Sequence, residues 1–125
     1  MLRLLLDEHI SPEVAEGIRQ AQKNVAVRCL AEWEAGRFMG GSDALLLEAA
    51  AAQNLTLVTY DRRTIPPLLK IWAEADRDHG GAVFVDHKTI SPSDIGGLSH
   101  AILSLFQESV RWDWKKRVCF LRRKN

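Results

Sequence analysis

Three aspartates, Asp7, Asp43 and Asp61, stand where a folded chain could use them together. Asp7 is followed by Glu8 and ends the apolar run Leu2–Leu6. Asp43 opens an alanine-rich segment directly after Ser42, and Asp61 closes the run Leu55–Tyr60. Carboxylates serve as general acids or bases and as ligands of hard cations. Two of them ~5 Å apart repel by about 3 kcal/mol at an effective dielectric of 20. A cluster of three therefore either keeps a proton or takes up a divalent cation. A ligand set made only of oxygen favours magnesium or manganese over zinc. Taken singly, Asp43 could complement a helix dipole and Asp61 could cap a turn, so both structural roles stay open.

The elements that must position these acids alternate along the chain. Residues 2–6 form a short apolar run, the mark of a buried strand. Ser11-Pro12 opens a helix that places Val14, Ile18 and Ala21 at helical spacing. Residues 25–30 read as a second strand, and 31–41, which ends in Gly40-Gly41, as a loop. Ser42 caps a helix from Asp43 to about Gln53 that is apolar almost all round and is therefore expected to be buried. A third strand over 55–59 precedes a helix begun by Pro66-Pro67, with Leu68, Ile71, Trp72 and Ala75. Gly80-Gly81 precede a fourth strand, 82–85. The capping box Ser91-Pro92-Ser93-Asp94 opens a helix with Ile95, Leu98, Ile102, Leu105 and Phe106 on one face. Residues 117–121 form a candidate fifth strand. This alternation predicts an α/β fold: three layers, α/β/α, around a mainly parallel, Rossmann-like sheet.

Sites of such sheets form at the carboxyl ends of the strands. Asp7 and Asp61 each follow a strand. The helix after Asp43 runs about 16 Å and the next strand returns a similar distance, so Asp43 is expected at the same edge.

A chain of 125 residues makes one domain, residues 1–125, and 46% hydrophobic with 26% charged residues excludes a disordered chain. The formal net charge of +1 gives no global pull toward nucleic acid or membrane. The distribution is uneven: segment 111–125 carries seven basic residues against Asp113, leaving +6 there and −5 on the remainder. Within it, Trp112 and Trp114 beside Lys115, Lys116 and Arg117 could stack bases and neutralise phosphates, or anchor an edge strand. Cys29 and Cys119 lie in apolar runs with no metal-ligand spacing, the pattern of buried small hydrophobes. Leu4–Leu6 is too short for a signal peptide or a membrane span, so a cytoplasmic protein is expected. No Walker loop, GxGxxG or GxSxG motif is present.

The segments LLLDEHISPEVAEGIR, GSDALLLEAAAAQNLTLVTYDRR and HGGAVFVDHKTISPSDIGGL resemble the short PIN-like branch of the PIN-domain nucleases. The likeness runs from about Leu2 to Phe106. It implies a ribonuclease that cleaves single-stranded RNA with Mg2+ or Mn2+, in many relatives the toxin of a toxin–antitoxin pair. Carried onto this sequence, it implies Asp7, Asp43 and Asp61 as catalytic metal ligands, with Thr59 as the hydroxyl beside them. Glu8 is the candidate fourth ligand, His9 and Arg62 are supporting residues, and Lys115, Lys116 and Arg117 join Arg62 and Arg63 as RNA contacts. The expected partners are RNA, an antitoxin protein and a second copy of the chain, with no membrane. The sequence departs from the family pattern in three places. The region that holds a further acid in larger PIN domains is short here, Arg63 stands where relatives often have an acid, and His9 where they often have Asn. A non-catalytic PIN-like module that binds a protein, and a receiver-like phospho-acceptor domain, are the alternative readings.

Overall fold

The computed structural model describes residues 2–123. Its five strands are β1 (Arg3–Leu6), β2 (Ala26–Cys29), β3 (Thr56–Thr59), β4 (Ala82–Phe84) and β5 (Val118–Phe120). They form one sheet in the order β2-β1-β3-β4-β5, with every neighbouring pair parallel. Strands covered on both faces read as unbroken apolar runs, which is why Leu4–Leu6 and Thr56–Thr59 are buried throughout.

Four helices cover the sheet: α1 (Pro12–Ala21), α2 (Asp43–Ala52), α3 (Ile65–Glu74) and α4 (Ile95–Glu108). The two-residue period of the strands sorts their side chains between two cores. Leu4, Leu6, Val27, Val58 and Val83 pack with Val14, Ile18, Leu98 and Ile102 of α1 and α4. Leu5, Leu57, Ala82 and Phe84 pack with Leu46, Leu47, Leu69 and Trp72 of α2 and α3. The fold is thus α/β in three layers, with an all-parallel sheet.

The ends of the elements follow local chemistry. The Ser11 hydroxyl accepts from the Glu13 amide and Pro12 fills the first position of α1. Ser42 does the same for α2 through the Ala44 amide. Gly80 is required by a close approach: a Cβ there would lie 2.5 Å from the Leu55 carbonyl oxygen.

Four expectations need correction. Helix α2 is not buried all round; it buries Leu46, Leu47 and Ala50 and leaves Leu45 58% exposed, because only one layer of sheet lies beneath it. Helix α3 turns Ile65, Leu69 and Trp72 inward while Ile71 is 60% exposed, a shifted phase in a helix with apolar residues on two sides. Helix α4 is capped by Asp94, whose carboxylate accepts from the Gly97 amide at 2.9 Å; Ser91 instead holds the preceding turn through the Ser93 amide. On α1, Ala21 is exposed and Ala15 takes its place in the core. The 31–41 connection carries a single 3-10 turn, Trp33–Gly36, pinned by buried Trp33 stacked on Phe38. The basic segment was read to residue 125; Lys124 and Asn125 lie outside the described residues.

Candidate active site

Asp7 directly follows β1 and its backbone amide donates to the Val58 carbonyl at 2.9 Å, so it stands at the carboxyl edge between β1 and β3. Its side chain is buried but fully engaged. Oδ1 accepts from the Glu8 amide at 2.8 Å, and Oδ2 accepts from the Thr59 hydroxyl at 2.6 Å. Thr59 is the hub of the edge, because its Oγ1 also accepts from the Asp61 amide at 2.9 Å. One buried hydroxyl therefore links the first acid to the backbone of the third.

Asp61 takes the turn-capping role as well as facing the cluster. Its Oδ1 accepts from the Arg63 and Thr64 amides, both at 2.8 Å, at the entry to α3. Burial opposes ionisation of Asp61, but these two amides, with a hydrogen bond from Asp43, hold its carboxyl below the usual range. Asp43 shifts the opposite way. Burial, the hydrogen bond with Asp61, and the negative charges of Asp61, Asp7 and Glu8 all raise it. The two neighbouring carboxyls are thus shifted in opposite directions, one by the amides at its oxygen and the other by the acids around it. Glu8 is exposed, and its Oε2 accepts from the Gly40 amide at 3.3 Å, which ties the end of the 31–41 loop to the cluster.

The structure therefore brings Asp7, Asp43, Asp61, Glu8 and Thr59 to one edge. It does not gather the acids into a coordination shell: among the described residues, no three His, Cys, Asp or Glu side chains are placed to hold a metal ion together. Every donor is an oxygen, the chemistry of a hard divalent cation, though as placed the carboxylates form no shell around one. Asp7, Asp43 and Asp61 are the residues that would hold it.

No family model matches the chain, and neither does any curated protein or solved structure. The site must be read from its own geometry.

Beside the acids a cleft of about 390 Å³ is lined by His9, Tyr60, Asp61, Arg63, Thr64 and His87. Tyr60 forms its floor. The ring lies 4.9 Å from His87, and its hydroxyl donates to the Ile90 carbonyl at 2.8 Å. Burial, with Asp94 nearby, pushes the Tyr60 phenol up to about 12, so it stays protonated. Arg62 continues the edge toward β5, pairing with Asp86 at 3.5 Å and lying 5.2 Å over the Phe120 ring.

Lys115, Lys116 and Arg117 are elsewhere. They precede β5, and β5 runs parallel to β4, so they sit at the amino edge of the sheet, opposite the acids. Their charge is also taken up locally. Lys115 pairs with Asp78 at 3.0 Å, Lys116 with Asp76 at 2.7 Å and Asp78 at 3.4 Å, and Arg117 lies over Trp112. These three residues therefore form a surface apart from the acid cluster, with their charge partly met by Asp76 and Asp78. A second cleft of about 420 Å³ lies at this edge, lined by Asn54, Asp78, His79, Trp112, Trp114 and Lys115, with none of the acid cluster in it. Sequence reasoning missed Lys88 and Phe120, which the sheet topology brings toward the acids' edge; the signal available was that each follows or ends a predicted strand. No helix among the described residues is long and apolar enough to cross a membrane.

Proposed function

We propose that this chain is a metal-dependent ribonuclease of PIN-like type that cleaves single-stranded RNA at the Asp7–Asp43–Asp61 cluster. The observation that carries the reading is the convergence of Asp7 and Asp61 at the carboxyl edge, joined through the Thr59 hydroxyl, with Glu8 and Asp43 beside them. Four acids from distant parts of the sequence repel one another and are retained at the place where α/β sheets build their sites. A bound magnesium or manganese ion supplies an activated water and neutralises charge on the phosphate. Thr59 fixes the Asp7 carboxylate through Oδ2, and the α3 entry amides fix Asp61 through Oδ1. A cation held here would favour the ionised form of Asp43, whose carboxyl the neighbouring acids push up. Arg62 and Arg63, both exposed beside the acids, supply positive charge for the RNA backbone, which gives affinity without sequence information.

The test is cleavage of mixed single-stranded RNA by purified protein with Mn2+, alongside titration calorimetry of Mn2+. Asp7→Asn and Asp61→Asn should each abolish turnover. Turnover that persists in both variants refutes the reading, and absence of metal binding moves the chain to a protein-binding role. One observation favours a second reading. The strand order 2-1-3-4-5 is shared with receiver-like sheets, and it places Asp7, Glu8 and Asp61 after β1 and β3. Against it, Asp61 Oδ1 is taken up by two backbone amides at the α3 entry. Tight binding of beryllofluoride at Asp61 would select the receiver.

A further inference from the structure

We infer that Phe120 is a base-stacking platform for single-stranded RNA, placed so that the phosphate between it and the acid cluster falls in the cleft of His9, Arg63 and His87. The inference rests on the ribonuclease reading of this edge and adds a subsite to it. Phe120 is the last residue of β5, so its ring belongs to the same carboxyl edge as Asp61, two strand spacings or roughly 10 Å from β3. That separation suits neighbouring nucleotides of an extended strand.

The alternation along β5 turns Cys119 toward the core of α1 and α4 and leaves Val118 and Phe120 outward, 48% and 55% exposed. The Phe120 ring is backed by Phe84, with centroids 5.8 Å apart, and Arg62 lies over it. Asp86 holds that guanidinium in place. An aromatic ring supported from behind and capped by a guanidinium, half open to solvent, presents planar faces on which bases stack regardless of sequence.

The rim decides between nucleic acid and protein. Arg62, Arg63, Lys88 and Arg122 are all exposed around this part of the edge. Neither Arg63 nor Lys88 makes an ion pair among the described residues, and the nearby acids Asp86 and Asp94 are already paired with Arg62 and Arg123. A net-positive rim, in which the two acids Asp86 and Asp94 are already paired with arginines, fits a polyanion carrying flat bases. It also requires those bases to be unpaired, so the substrate is single-stranded.

The experiment is fluorescence anisotropy with a fluorescein-labelled ten-nucleotide oligouridylate, and with its duplex on oligoadenylate, in EDTA so that nothing is cleaved. Phe120→Ala should weaken single-strand binding by about five- to a hundredfold and leave the salt dependence as in the wild type. Phe120→Trp should restore it. Arg63→Ala and Lys88→Ala should each lower the salt slope by about 0.7 log units. Thermal melting of each variant checks folding, which an exposed ring should not disturb. Phe120→Ala binding the single strand as the wild type does would overturn the platform and leave the ring as an edge contact for a protein. Equal loss of duplex binding would overturn it too. Binding that depends on Phe120 without cleavage in Mn2+ refutes the ribonuclease and keeps the platform; cleavage with an unchanged KM in Phe120→Ala does the reverse.

Discussion

Replacing Asp43 by asparagine should make the metal-free protein more stable at neutral pH. Two carboxylates about 5 Å apart repel by about 3 kcal/mol at an effective dielectric of 20 and by about 0.8 kcal/mol in water. Asp43 is half-buried, so screening sets the value between these, near 1–2 kcal/mol. The same aspartate occupies the first turn of α2, where a negative charge is favourable by about 0.3–1 kcal/mol that Asn gives up. The net gain is about 0.5–1 kcal/mol, or roughly 2–5 °C in Tm for a domain of this size. The pH dependence has a definite sign. Asp43 titrates above its ordinary value in the folded state, so its favourable contribution is complete below the unfolded pKa and is lost as pH rises through the folded one. The difference between variant and wild type should therefore be largest at pH 7.5 and shrink toward pH 4. Calorimetric melts in EDTA across that range measure it. Added Mn2+ should raise the wild-type Tm more than that of Asp43→Asn, because binding stabilises in proportion to affinity. A variant less stable than the wild type at pH 7.5, or a difference independent of pH, would refute a strained acid pair and return Asp43 to a plain helix-terminal role.

Thr59→Val should cost about 1.5–3 kcal/mol by urea unfolding, since it removes a charge-assisted hydrogen bond and leaves Asp7 Oδ2 buried without its donor. Gly80→Ala should be more damaging than an ordinary surface change, about 2–3 kcal/mol, because the new methyl meets the Leu55 carbonyl; a neutral effect in the same assay would show that the backbone yields there. Burial, and then the charge of Lys116, hold His79 below the usual imidazole range, while its Nδ1 accepts from the Gly81 amide. The unfolded chain therefore binds the extra proton first, so stability should fall as pH drops below about 6.5, and His79→Gln should flatten that slope in pH-dependent melts. Replacing Lys115, Lys116 and Arg117 together by Ala should leave the salt dependence of RNA binding unchanged, given their place at the amino edge; a lowered slope would put the strand across the opposite end of the sheet.

The strands were legible because buried parallel strands are continuous apolar runs, and once they are parallel their carboxyl ends share an edge. That polarity is enough to carry Asp7, Asp43 and Asp61 together. What it does not carry is side-chain commitment: that Thr59 occupies Asp7, or that backbone amides occupy half of Asp61, depends on turn geometry with no sequence period. The face of α3 was misread because Ile65, Leu68, Leu69, Ile71 and Trp72 cover more than one side of a helix, so spacing alone allows more than one phase. Ser91 and Asp94 are both competent caps, and only packing selects between them. The surroundings of the basic segment were not legible for a different reason. Its charge density is local in sequence, but Asp76 and Asp78, some forty residues earlier, meet it in space. Phe120 was visible as part of a strand, yet its exposure follows from β5 having a neighbour on one side only.

The order of the sheet also bears on how the chain assembles. After β1 and β2 pair, β3 joins the free side of β1, and β4 and β5 each add to the strand made just before them. Growth is outward in one direction and follows the order of synthesis, so every strand from β3 onward meets a template already in place. A long wait falls to the buried edge of β4, whose partner arrives only after the whole of α4. Until then Ala82–Phe84 presents an unpaired backbone edge between wholly apolar side chains, the kind of edge that recruits other chains. A truncation before Val118 should thus fail through aggregation more than through loss of secondary structure, and the three short residues of β5 act as the cover that closes the growing sheet.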